Sequence, residues 1–314
     1  MFTPPPSPPL PLPTPPYDQP TLIRLLTRHY ITLTQMGYIS PTSLLHPPAS
    51  GWSDSRLNTY CLRLIGRNET VIDLLKHLPY LDKEYQVYPE TEHLSYLDRK
   101  WDSPSTIAKR MGEEGGLVNL YPFSPFSSPL PSMVTLSHGR CGVWWVIDTA
   151  TGLVWPSESH WSVHAKEGKP EWMWYVPVGI EAFFDEVQRK LVELEVVPMH
   201  GFRRGRRGGG WDSVEFQVSF AGEQEGRAVK KVFLECGWPD LTTFQREECI
   251  KLAGEARLRV VEGWKVRWLE GDIEKAVGRG DVEDRERLEE RQRVVRMEFA
   301  REWEGVRRER RGWP

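Results

Sequence analysis

The chain has 314 residues, 39% hydrophobic and 27% charged, with a formal net charge of -3, a soluble-type composition long enough for one large domain or two small ones. That charge balance gives no global pull toward nucleic acid or an anionic membrane, so either role would need a local patch. The four cysteines, Cys61, Cys141, Cys236 and Cys249, form no C-x-x-C pair, which argues against a zinc ribbon, a thioredoxin motif or a small disulfide scaffold and points to reduced intracellular thiols.

Residues 1–19 are dominated by proline, whose ring fixes φ and removes the backbone donor, so they read as a disordered, extended polyproline-II tail. Its PxxP spacings suit an SH3 or WW domain, against the plainer reading of an inert arm. The segment lacks the basic and apolar regions of a secretory signal, and no later stretch is long and apolar enough to span a bilayer, so a cytoplasmic or nuclear protein with no membrane contact is expected. The acceptor pattern Asn68-Glu69-Thr70 then reads as accidental.

A main α+β domain is expected over residues 20–200. Leu22, Leu25, Leu26, Ile31 and Leu33 recur at helical spacing before Gly37. A second helix is expected from the cap Ser53, burying Leu57, Cys61, Leu64 and Ile65. A third starts at the cap Asn68, turns Val71, Leu74, Leu75 and Leu78 inward, and ends before Pro79. His77 lies at its C-terminal end, where a cation is favoured, and reads as a capping or surface residue. From Tyr85 to Pro131, proline, glycine, serine and aromatics predict a long loop.

The stretch SHGRCGVWWVIDTATGLVW, Ser137 to Trp155, changes the character of the chain. Met133 to Leu136, Val143 to Asp148 and Leu153 to Trp155 predict a β-meander, with the turn at Thr149 to Gly152. EWMWYVPV reads as a further edge strand, restricted by Pro177. After Gly179, Ile180, Phe183, Phe184, Val187, Leu191 and Leu194 predict an amphipathic helix closed by Pro198. Residues 201–211 form an Arg/Gly-rich linker or loop. Residues 212–270 are expected to complete the domain with the strands VEFQVSF and VKKVFLE and a helix around Phe244 to Leu258. Residues 271–314 are expected as a charged C-terminal helix, braced by Arg/Glu pairs, whose narrow stripe Leu288, Val295, Phe299 and Trp303 could dock once.

Adjacent residues on a strand point to opposite faces, so at most one of Trp144 and Trp145 is expected in the main core, the other covering a second layer or lining a groove. With Trp155 and Trp161 they form a candidate partner face, tryptophan being a good interface anchor. Packing beneath the long loop is the competing reading. His160 and His164 have the i,i+4 spacing of a metal helix but lack its glutamate, so no metal is expected. Cys141 with His138, His160 or His164 is the alternative Cys/His enzyme site, as in a hydrolase or transferase, although a buried structural thiol is the commoner meaning. No phosphate-cradling motif is present, and no cofactor is expected. Arg203, Arg204, Arg206 and Arg207 form a candidate anion contact, for which a solvated basic linker competes with a nucleic-acid arm.

The run LPSMVTLSHGRCGVWWVIDTATGLVW followed by GIEAFFDEVQRKL resembles the central part of the SUKH superfamily, which includes the fungal Smi/Knr-type cell-wall regulators and bacterial immunity proteins. Leu130-Pro131, Gly139, Trp145 and Asp148 to Gly152 match its LP pair, glycine, strand tryptophan and turn. The flanking pieces PPASGW, DLLKHLPYL and CGWPD look similar to uncharacterised proteins of filamentous fungi. The resemblance covers residues 117–195 and departs from the superfamily where YPFSPFSSP replaces the acidic helix before the LP pair. It implies an α+β interaction domain without catalysis, with a binding surface involving Trp144 or Trp145. The expected architecture is an antiparallel sheet packed against N-terminal and central helices, with the charged C-terminal helix outside. The expected role is non-catalytic binding of an unidentified protein partner, or scaffolding.

Overall fold

The computed structural model describes residues 17–83, 85–98, 130–138, 142–158, 176–199 and 223–312. The chain forms two compact units, Met1–Thr32 with Ile39–Arg189 and Leu33–Tyr38 with Lys190–Pro314. The boundary therefore falls near residue 190, ahead of the Arg/Gly segment, and the region expected to complete the main domain belongs to the second unit. The class is α+β, with helices and three small antiparallel sheets.

In the first unit, helix α1 (Gln19–Gln35) buries Leu22, Leu25, Leu26, His29 and Tyr30, while Ile31 faces out at 38% exposure. Two short helices, α2 (Asp54–Leu57) and α3 (Thr59–Leu64), replace the single one expected from Ser53. Asn58 separates them in the left-handed region at φ 52, and its side chain accepts from the Cys61 amide to cap α3. The break resets the helical phase, so Leu62 is buried where Leu64 was expected, and Leu64 is exposed.

Helix α4 (Glu69–His77) follows its capping chemistry. Asn68 Oδ1 accepts from the Val71 amide at 2.9 Å, and Val71, Ile72, Leu74 and Leu75 are buried. Each such side chain contributes roughly 1.5–3 kcal/mol of apolar burial. His77 lies at the C-terminal end, with Nδ1 2.8 Å from the Asp73 carbonyl.

Strands β1 (Leu44–Leu45) and β2 (Tyr80–Leu81) pair beside these helices. Within the segment expected as loop, β3 (Gln86–Tyr88) and β4 (Thr91–His93) form a hairpin, to which β6 (Ser137–His138) adds. Two three-residue strands are too short to show periodicity in sequence. The largest sheet has the order β5 (Met133–Thr135), β7 (Val143–Asp148), β8 (Leu153–Glu158), β9 (Val178–Gly179). Its β7–β8 turn has Gly152 at φ 71, and Asp148 accepts from the Ala150 amide and from the hydroxyls of Ser132 and Thr151. Helix α5 (Ile180–Val192) follows β9 directly and buries Ile180, Phe184, Val187 and Leu191.

The second unit is built around three helices, α6 (Glu223–Glu235), α7 (Arg246–Gly278) and α8 (Val282–Gly312). VKKVFLE, expected as a strand, lies in α6: Val229 and Phe233 are buried one helical turn apart. The helix expected to end near Leu258 instead runs to Gly278. After a turn with Gly280 at φ 69, α8 returns antiparallel along it. Leu258 packs with Phe299, and Leu269 and Ala276 pack with Leu288. The stripe expected to dock once does so within the hairpin, against α7.

Gly142 sits at a close approach of two backbones in the first unit, because a Cβ there would lie 2.1 Å from the Glu90 carbonyl oxygen. Replacing Gly142 with alanine should separate β4 from β7 and cost about 1–3 kcal/mol. Urea denaturation checks this; a variant as stable as wild type would contradict the close approach.

Candidate functional site

The strand β7 puts Trp144 and Trp145 on opposite faces, as alternation requires, and both indoles are buried, at 5% and 1% exposure. Of the two places expected for the second tryptophan, a second layer or a groove, Trp144 takes the layer: each face has its own cover. Trp145 meets His29 of α1 and Phe183 and Phe184 of α5, all edge to face, with centroid separations of 5.4, 5.7 and 5.7 Å. Trp144 packs among Met133, Val146 and the half-buried Trp155, with the His138 ring 6.2 Å away. His138 Nε2 lies 3.8 Å from Glu92 Oε2 on the neighbouring strand. Of the candidate partner face, Trp161 lies outside the described residues, as do Cys141, His160, His164, Arg203, Arg204, Arg206 and Arg207.

His29 was not singled out by its sequence context. Its Nε2 lies 2.7 Å from the Val87 carbonyl, and a carbonyl only accepts, so Nε2 carries the proton. Nδ1 is therefore a lone pair, buried without a hydrogen-bond partner, next to Trp145, whose Nε1 donor is also buried without one. This is a costly arrangement held by the surrounding rings. Burial holds His29 down to about 4, opposed by the Val87 hydrogen bond and reinforced by the neighbouring Arg28 cation.

The thiols do not present a nucleophile among the described residues. Cys61, Cys236 and Cys249 are buried. Burial pushes Cys249 well above its ordinary value, the adjacent Cys236 adding to the shift, and burial raises Cys236 as well. Such groups stay protonated at neutral pH and are poor nucleophiles. Among the described residues no cluster of three or more His, Cys, Asp or Glu is placed to hold a metal. No helix among them is long and apolar enough to cross a membrane.

Among the described residues, the tryptophans most open to solvent lie on α7. Trp264 and Trp268 are 53% and 48% exposed, and Val294 of α8 is 40% exposed. Spacing of four residues places both tryptophans on one side of α7. Arg291 of α8 lies over the Trp268 ring at 5.6 Å, and Val294 lies one turn further along α8 on the Arg291 side. Elsewhere on the hairpin a shallow groove is lined by Arg259, Glu262, Arg296 and Trp303, and there Trp303 Nε1 donates to Glu262 at 2.9 Å. Sequence reading missed the strip because it ended the helix at Leu258. The signal was present beyond that point, in the spacing by four of Val260, Trp264 and Trp268.

No family model, curated protein or solved structure matches this chain.

The buried imidazole carries a pH signature. Above about pH 6.5 neither the folded nor the unfolded chain protonates His29, and the packing is intact. As pH falls below that value the unfolded chain takes up a proton that the folded chain refuses until about pH 4, so stability falls across this window by on the order of 3 kcal/mol. Urea denaturation of wild type and His29→Gln between neutral and mildly acidic pH should show a flatter dependence in the variant. Parallel curves would mean that His29 does not titrate as its burial requires.

Proposed function

We propose that this chain is a non-catalytic protein-interaction or scaffold module, SUKH-like in its first unit and acting in the cytoplasm or nucleus, and that its contact surface is the broad α7–α8 face bearing Trp264 and Trp268. The observation that carries the reading is their half-exposure side by side on a long, well-packed hairpin. Tryptophan brings a large apolar area at low conformational cost and recurs at the centres of protein contacts. Single exposed hydrophobics need no explanation, but two half-exposed tryptophans one turn apart on one side of a helix form an apolar patch.

The SUKH-like part of the proposal rests on the resemblance of residues 117–195 and is supported by the packing of Trp145 against α5. The buried positions of Trp144 and Trp145 move the contact surface away from β7 and onto the hairpin. The chemistry of the strip suits an amphipathic helix that lays an apolar stripe along it, with charges of both signs at the rim.

The test compares immobilised wild-type chain with the Trp264→Ala/Trp268→Ala double variant in extract from the native cell. Specific proteins retained by wild type should be lost from the variant, while far-ultraviolet circular dichroism stays unchanged because both side chains are exposed. Equal retention by both chains would overturn the assignment of this face.

A further inference from the structure

We propose that the helix covering the Trp264–Trp268 strip is supplied by a second copy of this chain, so that two α7–α8 hairpins stack face to face as a four-helix bundle. The inference rests on the reading of this strip as the contact surface and names its occupant.

The first argument is the distribution of apolar side chains around α7. One side, bearing Leu258, Leu269 and Ala276, is buried against α8. Trp264 and Trp268 lie off that side and remain about half exposed. A helix with apolar groups on more than one face has use for more than one packing partner. α8 fills the first place, and α6 packs only against the N-terminal part of α7, where Glu225 pairs with Arg257 at 3.0 Å, seven residues before Trp264.

The second argument is charge. Helix α7 carries seven acidic and seven basic residues, and α8 carries nine and ten. A strongly acidic or basic partner gains nothing from so balanced a surface, whereas a second copy meets no net repulsion and finds both signs at the rim. Arg291 over Trp268 supplies a positive charge at one edge, and Glu298, one turn beyond Val294, supplies a negative one.

The third argument is register. Within the hairpin, Trp268 lies level with Arg291, and Glu270 reaches both Gln292 and Arg296, so the level of Trp268 on α8 falls at residues 291–294. A two-fold axis running along the hairpin keeps every residue at its own level and exchanges the two helices. It therefore sets α7 of one copy over α8 of the other, with Trp268 at the height of Val294. Neighbouring helices are antiparallel within and between copies, the arrangement of an up-down bundle. The contact is isologous and closed, which gives a dimer rather than a filament.

Sedimentation equilibrium of the full chain tests this. Wild type should show a concentration-dependent dimer mass in the micromolar range. Trp264→Glu/Trp268→Glu, and separately Val294→Glu on the facing helix, should each weaken dimerisation at least tenfold with unchanged helical content. A wild-type chain that stays monomeric at the highest concentration overturns self-pairing, as does a dimer indifferent to both variants. The extract experiment with the alanine variant stands apart from this result: a monomeric wild type that still retains proteins through the strip removes only the second copy as occupant.

Discussion

A β-strand cannot place two adjacent tryptophans on one face, and the first unit is organised around that constraint. With Trp144 and Trp145 in sequence on β7, either one large indole is left in water or the sheet is covered twice. The chain covers it twice. His29, Phe183 and Phe184 converge from α1 and α5 on Trp145, while Met133, Val146 and Trp155 surround Trp144. The Asp148 turn fixes the register that makes this alternation hold, because a slip of one residue would exchange the two indoles between layers.

The same constraint explains why a histidine sits where its second nitrogen has no partner. The Trp145 pocket is lined by rings and closed to solvent, and His29 contributes one of those rings while using Nε2 to hold the Val87 carbonyl of the smaller sheet. One imidazole thereby links α1 to β3 and closes the aromatic cage. The cost of the bare Nδ1 is tolerated because the neutral ring packs well, and it sets the sensitivity of the core to acid.

Legibility in the sequence followed how local each determinant was. Helices α4 and α5 were readable because a cap residue or a glycine stop and a full apolar face lie within one short window. The β7–β8 hairpin was readable from alternation and its turn. The break at Asn58 was missed because the apolar spacing runs on through it, although asparagine tolerates the left-handed region and here caps α3. Helix α6 was misread because VKKVFLE offers β-branched and aromatic residues to a strand template, while Val229 and Phe233 are spaced for a helix. The cover that His29 gives Trp145 was not readable, because it comes from a residue more than a hundred positions away.

The hairpin shows the limit of reading one helix by itself. On α8, Leu288, Val295, Phe299 and Trp303 form a single narrow stripe, which looks like a docking surface until α7 is found to be long enough to cover it. Once that stripe is occupied, the two exposed tryptophans are left on the flank of α7, held at two successive turns, with Trp268 partly shielded by the Arg291 guanidinium. A cation stacked on an indole keeps the free surface hydrated and can swing aside when a helix replaces it. A face built in this way is soluble when alone and apolar when covered, and with near-zero net charge on both helices its selectivity has to come from shape and register rather than from long-range attraction.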